Sequence, residues 1–282
     1  MQLSGFGLSD YKQLLRTALD QGYEFYTVAE YFDTTTLDTP SIVLRHDVDR
    51  RVHNAVALAE VETDLGIDAT YYFRTSTFDP DLAESMEADG HEIGYHYEDL
   101  ANERGDVRRA HARFAANLAS FRQHVTVDTI CSHGSPLSPH LNTDLWEGTR
   151  TPADYDLTGR AYEVEADDDG TSERLYCSDT GRDWNVSVPG FGHVRSTDDV
   201  IRALESGACQ DLYLLAHPSR WATSHIQSVE RPSWDIAAET GKAIASGVHN
   251  LQRTSRRFAE RTHVAGAVRA IASAASPTRS ER

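Results

Sequence analysis

The sequence is poor in lysine, in cysteine and in long apolar runs. Only two of its 27 basic residues, Lys12 and Lys242, are lysines, and 44 acidic residues give a net charge of −17. A surface this negative disfavours binding to nucleic acid or to an anionic membrane, because both need clustered cations. An acidic composition with arginine in place of lysine is typical of a protein from a salt-rich cytosol, where counterions screen the repulsion between carboxylates.

The few cysteines and the short apolar runs exclude further classes. Cys131, Cys177 and Cys209 are widely spaced and form no C-x-x-C pair, which argues against a disulfide framework and a cysteine zinc site. The longest apolar runs, such as Leu212–Ala216, are far too short to span a bilayer. The N-terminal segment lacks the features of an export signal. We therefore expect reduced cysteines, no membrane span and a cytoplasmic protein.

Helical and strand-like segments alternate along the chain, which predicts an α/β fold with parallel strands covered by helices. An α/β barrel and a doubly wound sheet both fit this alternation. The predicted helices are Ser9–Gln21, Arg50–Leu65, Pro80–Asp89, Val107–Gln123 and Thr197–Ser206. The predicted strands are Ser41–Arg45, Ala69–Phe73, Glu92–His96, Val127–Ser132 and Asp211–Ala216.

The middle and the end of the chain depart from this alternation. The segment Asn142–Thr197 is rich in glycine and acidic residues and predicts an irregular insertion, with weak strand signals at Tyr162–Glu165 and Leu175–Cys177. We predict one α/β domain over residues 1–232, including the N-terminal helix. Residues 233–282 are predicted to form a C-terminal helical tail whose polar end frays.

Polar motifs follow four of the predicted strands: HDVD at 46–49, GYHYED at 94–99, SHGSP at 132–136 and AHPSRW at 216–221. Active sites of parallel α/β folds are built at such carboxyl ends. Asp47 and Asp49 are two apart and share a face, although Asp49 could also cap the helix that follows. With His96, His133 and His217 they offer the nitrogen and oxygen donors that suit zinc or a similar divalent ion.

The motifs HDVD, GHEIGYHYEDL, DTGRDW and LLAHPSRW, in this order, resemble the motif series of the polysaccharide deacetylases, the NodB homology domain, over the stretch 40–225. The resemblance implies a distorted (β/α) barrel, related to the TIM barrel, that hydrolyses acetamide groups of amino sugars with a divalent metal. It implies Asp47 as the general base and Asp49 and His96 as metal ligands. It also implies His217 as the acid that protonates the leaving amine.

One metal ligand of that family is missing, because Leu100 stands where its second histidine should be. A catalytic zinc usually has three protein ligands and a water, and His133, Glu98 or Asp99 could supply the third. We predict His133, because its strand is expected to adjoin and imidazole replaces imidazole with little change in ligand softness. The family's arginine–proline loop is also absent, with Ser132–Ser138 in its place.

The late Asp-Trp element is represented by Asp183 and Trp184, which the resemblance implies to steady the catalytic groups. Trp184 and Trp221 offer flat apolar faces of the kind on which sugar rings stack. Packing of either indole in the core is the alternative.

Together these residues predict a metal-dependent hydrolase, with zinc as the expected metal, that removes N-acetyl groups from an amino-sugar glycan or glycan precursor. A cytoplasmic address would make the substrate a nucleotide- or lipid-linked N-acetyl sugar. Leu100 keeps two alternatives open: a non-catalytic sugar-binding or scaffold protein of the same fold, and an amidohydrolase acting on a non-sugar amide. The presence of Asp47 and His217 favours an enzyme. No sequence feature specifies an oligomeric state.

Overall fold

The computed structural model describes residues 5–34, 37–38, 40–164 and 174–223. Its helices are α1 Leu8–Asp20, α2 Val28–Asp33, α3 Val52–Leu65, α4 Pro80–Ala88, α5 Asp99–Asn102, α6 Val107–Phe121 and α7 Thr197–Glu205. Its strands are β1 Glu24–Tyr26, β2 Ser41–Val48, β3 Thr70–Phe73, β4 Glu92–Tyr97, β5 Thr129–Ser132, β6 Gly159–Arg160, β7 Leu175–Ser178, β8 Val186–Val188, β9 Gly192–Val194 and β10 Asp211–Ala216. The C-terminal tail predicted over 233–282 lies outside the described residues.

One curled parallel sheet carries the fold. Its order is β6-β5-β4-β3-β2-β10-β7, with β1 paired to the start of β2, and every pairing in it is parallel. From β2 to β6 each new strand adds on the same side of the last, without the reversal of order that defines a doubly wound sheet. The predicted distorted barrel of the α/β class is therefore confirmed. The five predicted strands, present as β2, β3, β4, β5 and β10, lie parallel in it, as predicted.

The sheet has an apolar layer on each face. Along β2, Ile42, Leu44 and Val48 belong to the large core packed under the helices. Val43 belongs to a smaller core inside the curl. This alternation follows from the two-residue period of a strand. Both faces of β2 are buried along its whole length, as expected for a parallel strand covered on both sides. The inner core also takes Val28 from α2, so this short helix fills the curl.

The turn after β2 directs the first polar motif toward the rim of the sheet. Arg51, directly before α3, has a φ of 58°, a left-handed conformation that reverses the chain sharply after Asp49. At its other end α3 stops at Gly66, also left-handed with a φ of 70°. Helix α4 begins at Pro80, as predicted, and the Asp79 carboxylate caps it by accepting from the Leu82 amide.

The irregular insertion contains short elements that the sequence pattern only partly predicts. The strand predicted at Leu175–Cys177 is present as β7, but the one at Tyr162–Glu165 is wrong, because Ala161–Glu163 forms a 3₁₀ turn there. Glu163 accepts from the Arg160 amide and closes that turn. Strands β8 and β9 form an antiparallel hairpin beyond it. Other 3₁₀ turns lie at Asn142–Trp146, Pro152–Tyr155, Thr180–Arg182 and Pro218–Arg220.

The three cysteines are buried and free, which agrees with the prediction of reduced thiols. Among the described residues, the helices are all too short or too polar to cross a bilayer.

Candidate metal centre and active site

The polar motifs converge at one rim of the sheet. Strands β5, β4, β3, β2 and β10 lie side by side, so their carboxyl ends form a continuous edge. His96 lies near the end of β4, Asp47 lies near the end of β2, and His133 and His217 directly follow β5 and β10. Because Ala216 pairs with His46, the residues that come next along the chain, His217 and Asp47, lie near each other at this edge.

Asp49, His96 and His133 bring one ligand atom each to a common point. Asp49 Oδ1 lies 3.3 Å from His96 Nε2 and 3.5 Å from His133 Nε2. All three atoms lie within 4.8 Å of one another. Two zinc bonds of roughly 2.0–2.1 Å at a tetrahedral angle would place their ligand atoms about 3.3 Å apart. The separations of Asp49 from the two imidazoles therefore match a site for one small divalent cation.

In both histidines Nε2 faces Asp49, and a contact at Nδ1 orients the ring. His96 Nδ1 lies 3.2 Å from the Cys131 carbonyl oxygen. A carbonyl can only accept, so Nδ1 carries a proton, and Nε2, which faces Asp49, is the nitrogen that would coordinate a metal. His133 Nδ1 lies 3.0 Å from Glu98 Oε2. The two rings meet edge to face with their centres 5.1 Å apart. This is the arrangement of an imidazole ligand oriented by an outer partner.

A buried carboxylate oxygen provides the test of whether a cation fits. Asp49 Oδ1 is buried and has no aligned hydrogen-bond donor in the described part of the chain. Burial raises the pKa of Asp49, but the neighbouring His96 outweighs it and holds that pKa well below its usual range. An ionised, buried oxygen without a donor is costly unless a cation meets it. The donor set and this oxygen together fit a divalent metal, and the residues that would hold it are Asp49, His96 and His133.

A second group of ligand types, Asp47, His96 and Cys131, lies next to the first and shares its histidine. Here Asp47 already has a cation, because Arg45 Nε and Nη2 donate to its two oxygens at 2.9 and 3.0 Å. Burial raises the pKa of the Cys131 thiol, which keeps it in the poorly ligating protonated form. The group around Asp49 is therefore the better metal centre.

Arg45 determines the state of Asp47. Burial raises the pKa of Asp47, but Arg45 and, more weakly, His96 outweigh burial and hold it well below its usual range. Arg45 itself is anchored by donating to the Tyr213 hydroxyl at 2.7 Å and by lying over the Tyr72 and Tyr213 rings. Asp47 Oδ2 lies 3.8 Å from His96 Nε2. The predicted base is thus ionised and fixed beside the metal centre.

His217 is held by a carboxylate that the sequence analysis did not select. Asp179 Oδ1 lies 2.6 Å from His217 Nδ1, and its Oδ2 accepts from the His217 amide at 2.8 Å. Trp221 Nε1 donates to the same Oδ2 at 3.0 Å. Asp179 is fully buried and directly follows β7. The other site residues were identified because they lie at the carboxyl ends of predicted strands. Asp179 lies at such an end too, and it would have been identified in the same way if β7 had been counted as a strand of the sheet.

The late Asp-Trp element requires a correction. Asp183 pairs with exposed Arg195, so the carboxylate that steadies His217 is Asp179. Trp184 is 3% exposed, stacks on Phe6 and donates to the Thr197 hydroxyl at 3.2 Å. Its role is packing in the core.

Trp221 is also buried, with no exposed surface. Neither Trp184 nor Trp221 offers an exposed face to a sugar ring, so the structure favours the alternative of core packing for both indoles. Trp221 supports the site in another way, through its bond to Asp179.

The structure distinguishes the three candidates for the third metal ligand by the contacts that each side chain makes. Leu100 is buried in the core, where a histidine would enter apolar packing. The Asp99 carboxylate accepts from the Tyr95 hydroxyl and from Asn117, both at 2.8 Å, and is committed to that network. Glu98 accepts from Arg74 at 2.8 Å and approaches the far nitrogen of His133. Of the three candidates, His133 is the one grouped with Asp49 and His96.

Comparison with known proteins gives a limited result. No family model and no curated protein matches the chain. Among solved structures, IcaB from Ammonifex degensii is similar at 18% identity and a TM-score of 0.36, covering 46% of this chain and 68% of that one. A mutant of the peptidoglycan deacetylase PdaC from Bacillus subtilis is similar at 13% identity and a TM-score of 0.39, covering 78% and 96%.

Proposed function

We propose that this chain is a metal-dependent hydrolase that removes N-acetyl groups from an amino-sugar glycan or glycan precursor. The observation that carries the proposal is the convergence of Asp49, His96 and His133 around a buried carboxylate oxygen that has no aligned hydrogen-bond donor among the described residues. The ordered motifs that resemble the polysaccharide deacetylases support the same reaction class. Zinc is the metal we propose, since one carboxylate and two imidazoles suit it.

The chain's own residues supply the proton transfers of amide hydrolysis. A divalent cation at this centre supplies Lewis acidity, which polarises an amide carbonyl and acidifies water. Asp47 is ionised and accepts a proton from the attacking water. His217 donates a proton to the departing amine, and Asp179 holds its ring so that Nε2 is free to do so.

Arg45 has two opposed effects on this chemistry. Its guanidinium keeps Asp47 charged at neutral pH, and it also lowers the affinity of that carboxylate for a proton. The bidentate pair further fixes the direction of the carboxylate, which is needed because a general base must lie within hydrogen-bond reach of its proton. We propose that positioning outweighs the loss of basicity.

One observation favours a second candidate, an amidohydrolase acting on a non-sugar amide. The two indoles expected to stack on a sugar, Trp184 and Trp221, are buried. The described rim therefore lacks the aromatic platforms that these two residues were predicted to provide. The two candidates share the metal centre and the proton-transfer residues and differ only in the substrate.

A substrate screen with metal analysis tests the proposal. Purified protein loaded with zinc is incubated with N-acetylated sugars, nucleotide-linked N-acetyl sugars and cyclic or linear non-sugar amides, and release of acetate or amine is measured. We expect acetate release from at least one N-acetyl sugar, lost after chelation and restored by added zinc. Turnover of non-sugar amides alone would favour the second candidate. Stoichiometric metal without any turnover would favour a binding protein.

A further inference from the structure

A short chain of charged groups lies behind His133. Glu98 follows β4, Arg74 follows β3, and both are partly buried at the rim of the sheet. Arg74 Nη2 donates to Glu98 Oε2 at 2.8 Å, and the same oxygen lies 3.0 Å from His133 Nδ1. Arg74 Nη1 donates to the Asp49 carbonyl at 3.3 Å. Arg74 therefore links the segments that carry two of the three candidate metal ligands.

The contact between Glu98 and His133 determines which nitrogen of the ring faces the metal centre. A carboxylate beside Nδ1 favours the tautomer that carries its proton there, which leaves the Nε2 lone pair toward Asp49. The Nδ1 contact is at ion-pair distance but is not an aligned hydrogen bond. His133 and Glu98 both have 15% of their side chains exposed, so the pair is partly shielded from water.

The backbone of the loop fixes the rest of His133. Its amide donates to the Tyr97 carbonyl at 2.8 Å, and its carbonyl accepts from Asn142 Nδ2 at 2.7 Å. With the backbone held on both sides, the remaining freedom of His133 is rotation of its ring, and Glu98 faces the nitrogen that would move.

We infer that Glu98 is a positioning residue that orients His133 as the third metal ligand, and that Arg74 holds Glu98 in place. The His133–Glu98 pair would thereby replace the histidine absent at Leu100, using groups from two adjacent strand ends. This inference rests on the metal site of the proposed function. It extends that site to two residues, Glu98 and Arg74, that bind no metal themselves.

Zinc affinity in a double-mutant cycle tests the inference. The dissociation constant for Zn²⁺ is measured by competition with a chromophoric chelator for the wild-type chain, Glu98→Gln, His133→Ala and the double variant. We expect Glu98→Gln to weaken zinc roughly 10–100-fold, the usual cost of losing an outer-shell partner. His133→Ala should cost more. In the His133→Ala background, Glu98→Gln should add nothing, because its effect passes through that ring.

Matched controls separate positioning from general damage. Glu103→Gln removes the same charge a few residues away, where Glu103 pairs with Arg109 and Arg113, and should leave zinc affinity unchanged. Melting of the metal-free proteins checks that each variant folds. The spectrum of the Co²⁺-loaded protein should change in Glu98→Gln, since a misoriented imidazole alters the ligand field.

The outcomes separate this inference from the function on which it rests. Wild-type affinity for zinc with an equal affinity in Glu98→Gln would overturn the inference and leave the metal site standing. An equal loss from Glu98→Gln in both backgrounds would show that Glu98 does not act through His133, and would also overturn it. A wild-type chain that binds no zinc would overturn the metal site and the inference together.

Discussion

Two carboxylates, Glu62 on α3 and Asp49 just after the end of β2, each lie beside two histidines, and they differ in what surrounds them. Glu62 lies beside His46 and His91 under the helices, while Asp49 lies beside His96 and His133 at the rim. His46 Nε2 is 2.8 Å from Glu62 Oε1 and Tyr71 donates to Oε2 at 2.7 Å.

The two clusters differ in how many hydrogen-bond donors reach the oxygens of their carboxylates. The Tyr11 hydroxyl also donates to Glu62, so both of its oxygens have donors, and the side chain is fully buried. Asp49 Oδ1 has none in the described part of the chain. Residue types alone make both clusters candidate metal sites. The full set of donors around Glu62 indicates a structural network, whereas Asp49 Oδ1, with two imidazole nitrogens near it but no aligned donor among the described residues, suits a shared cation better.

The largest expected effect separates the two clusters directly. Asp49→Asn removes a ligand charge and should weaken zinc by more than the roughly 100-fold cost of an outer-shell loss, with turnover lost as well. Glu62→Gln should leave the zinc dissociation constant unchanged. Chelator competition on both variants measures this contrast. Equal weakening in the two variants would remove the distinction between a structural and a metal-binding carboxylate.

Asp47→Asn tests the division of roles within the HDVD motif. The amide keeps the shape of the side chain but does not accept a proton from water at neutral pH, so turnover should fall roughly 10²–10⁴-fold. Zinc content should stay close to that of the wild type, because Asp47 is bound to Arg45 and not to the metal group. Acetate release and metal analysis on one preparation check both statements. Loss of zinc equal to that in Asp49→Asn would contradict this division.

His217 and Asp179 should act as a pair. His217→Ala should slow turnover by a factor within the 10²–10⁴ range typical of a general acid, and less for substrates with better leaving groups. Asp179→Asn should have a smaller effect, since the ring remains but loses its orienting carboxylate. Rates of the two single variants and the double variant, measured with one substrate, show the coupling. Fully additive losses would mean that Asp179 does not act through His217.

The smallest effect on function is expected from the Glu62 cluster, where stability changes instead. Glu62→Gln should lower the free energy of unfolding by roughly 1.5–3 kcal/mol, the scale of hydrogen bonds to a charged group. Burial raises the Glu62 pKa, but His46 outweighs it and the net pKa is lowered from 4.5. Its stabilisation is therefore complete above pH 4.5 and is lost as pH falls below that value.

Chemical unfolding at several pH values measures this contribution. The wild type should lose stability on acidification below pH 4.5 more steeply than Glu62→Gln does. An identical acid profile for both proteins would show that the Glu62 charge does not stabilise the fold.

Most of the sheet was predictable, because β2, β3, β4, β5 and β10 are buried runs bounded by turn residues. The same signal fails at short elements. Strand β1 has three residues and α2 has six, too few for a period to show. The 3₁₀ turn at Ala161–Glu163 reads as a strand because its aromatic and apolar residues suit either state.

The site residues could be predicted where a polar motif lies at the end of a strand. The side chains that hold these residues in place could not be predicted where they come from another part of the chain. Asp49, His96 and His133 were found from such motifs, and the structure groups them. The sequence analysis omits Arg45, although a residue two positions before Asp47 in the same strand shares its face. The Asp-Trp motif points to Asp183 alone, whereas the fold places Asp179, which the sequence analysis does not consider, directly after β7.

The central claim is that one divalent cation binds among Asp49, His96 and His133. Crystals grown with zinc, with diffraction recorded on both sides of the zinc absorption edge, test it most directly. We predict a single anomalous peak at roughly 2.0–2.2 Å from Asp49 Oδ1 and from the Nε2 atoms of His96 and His133. A peak beside Glu62, a peak between Asp47 and Cys131, or no peak at all would contradict the account.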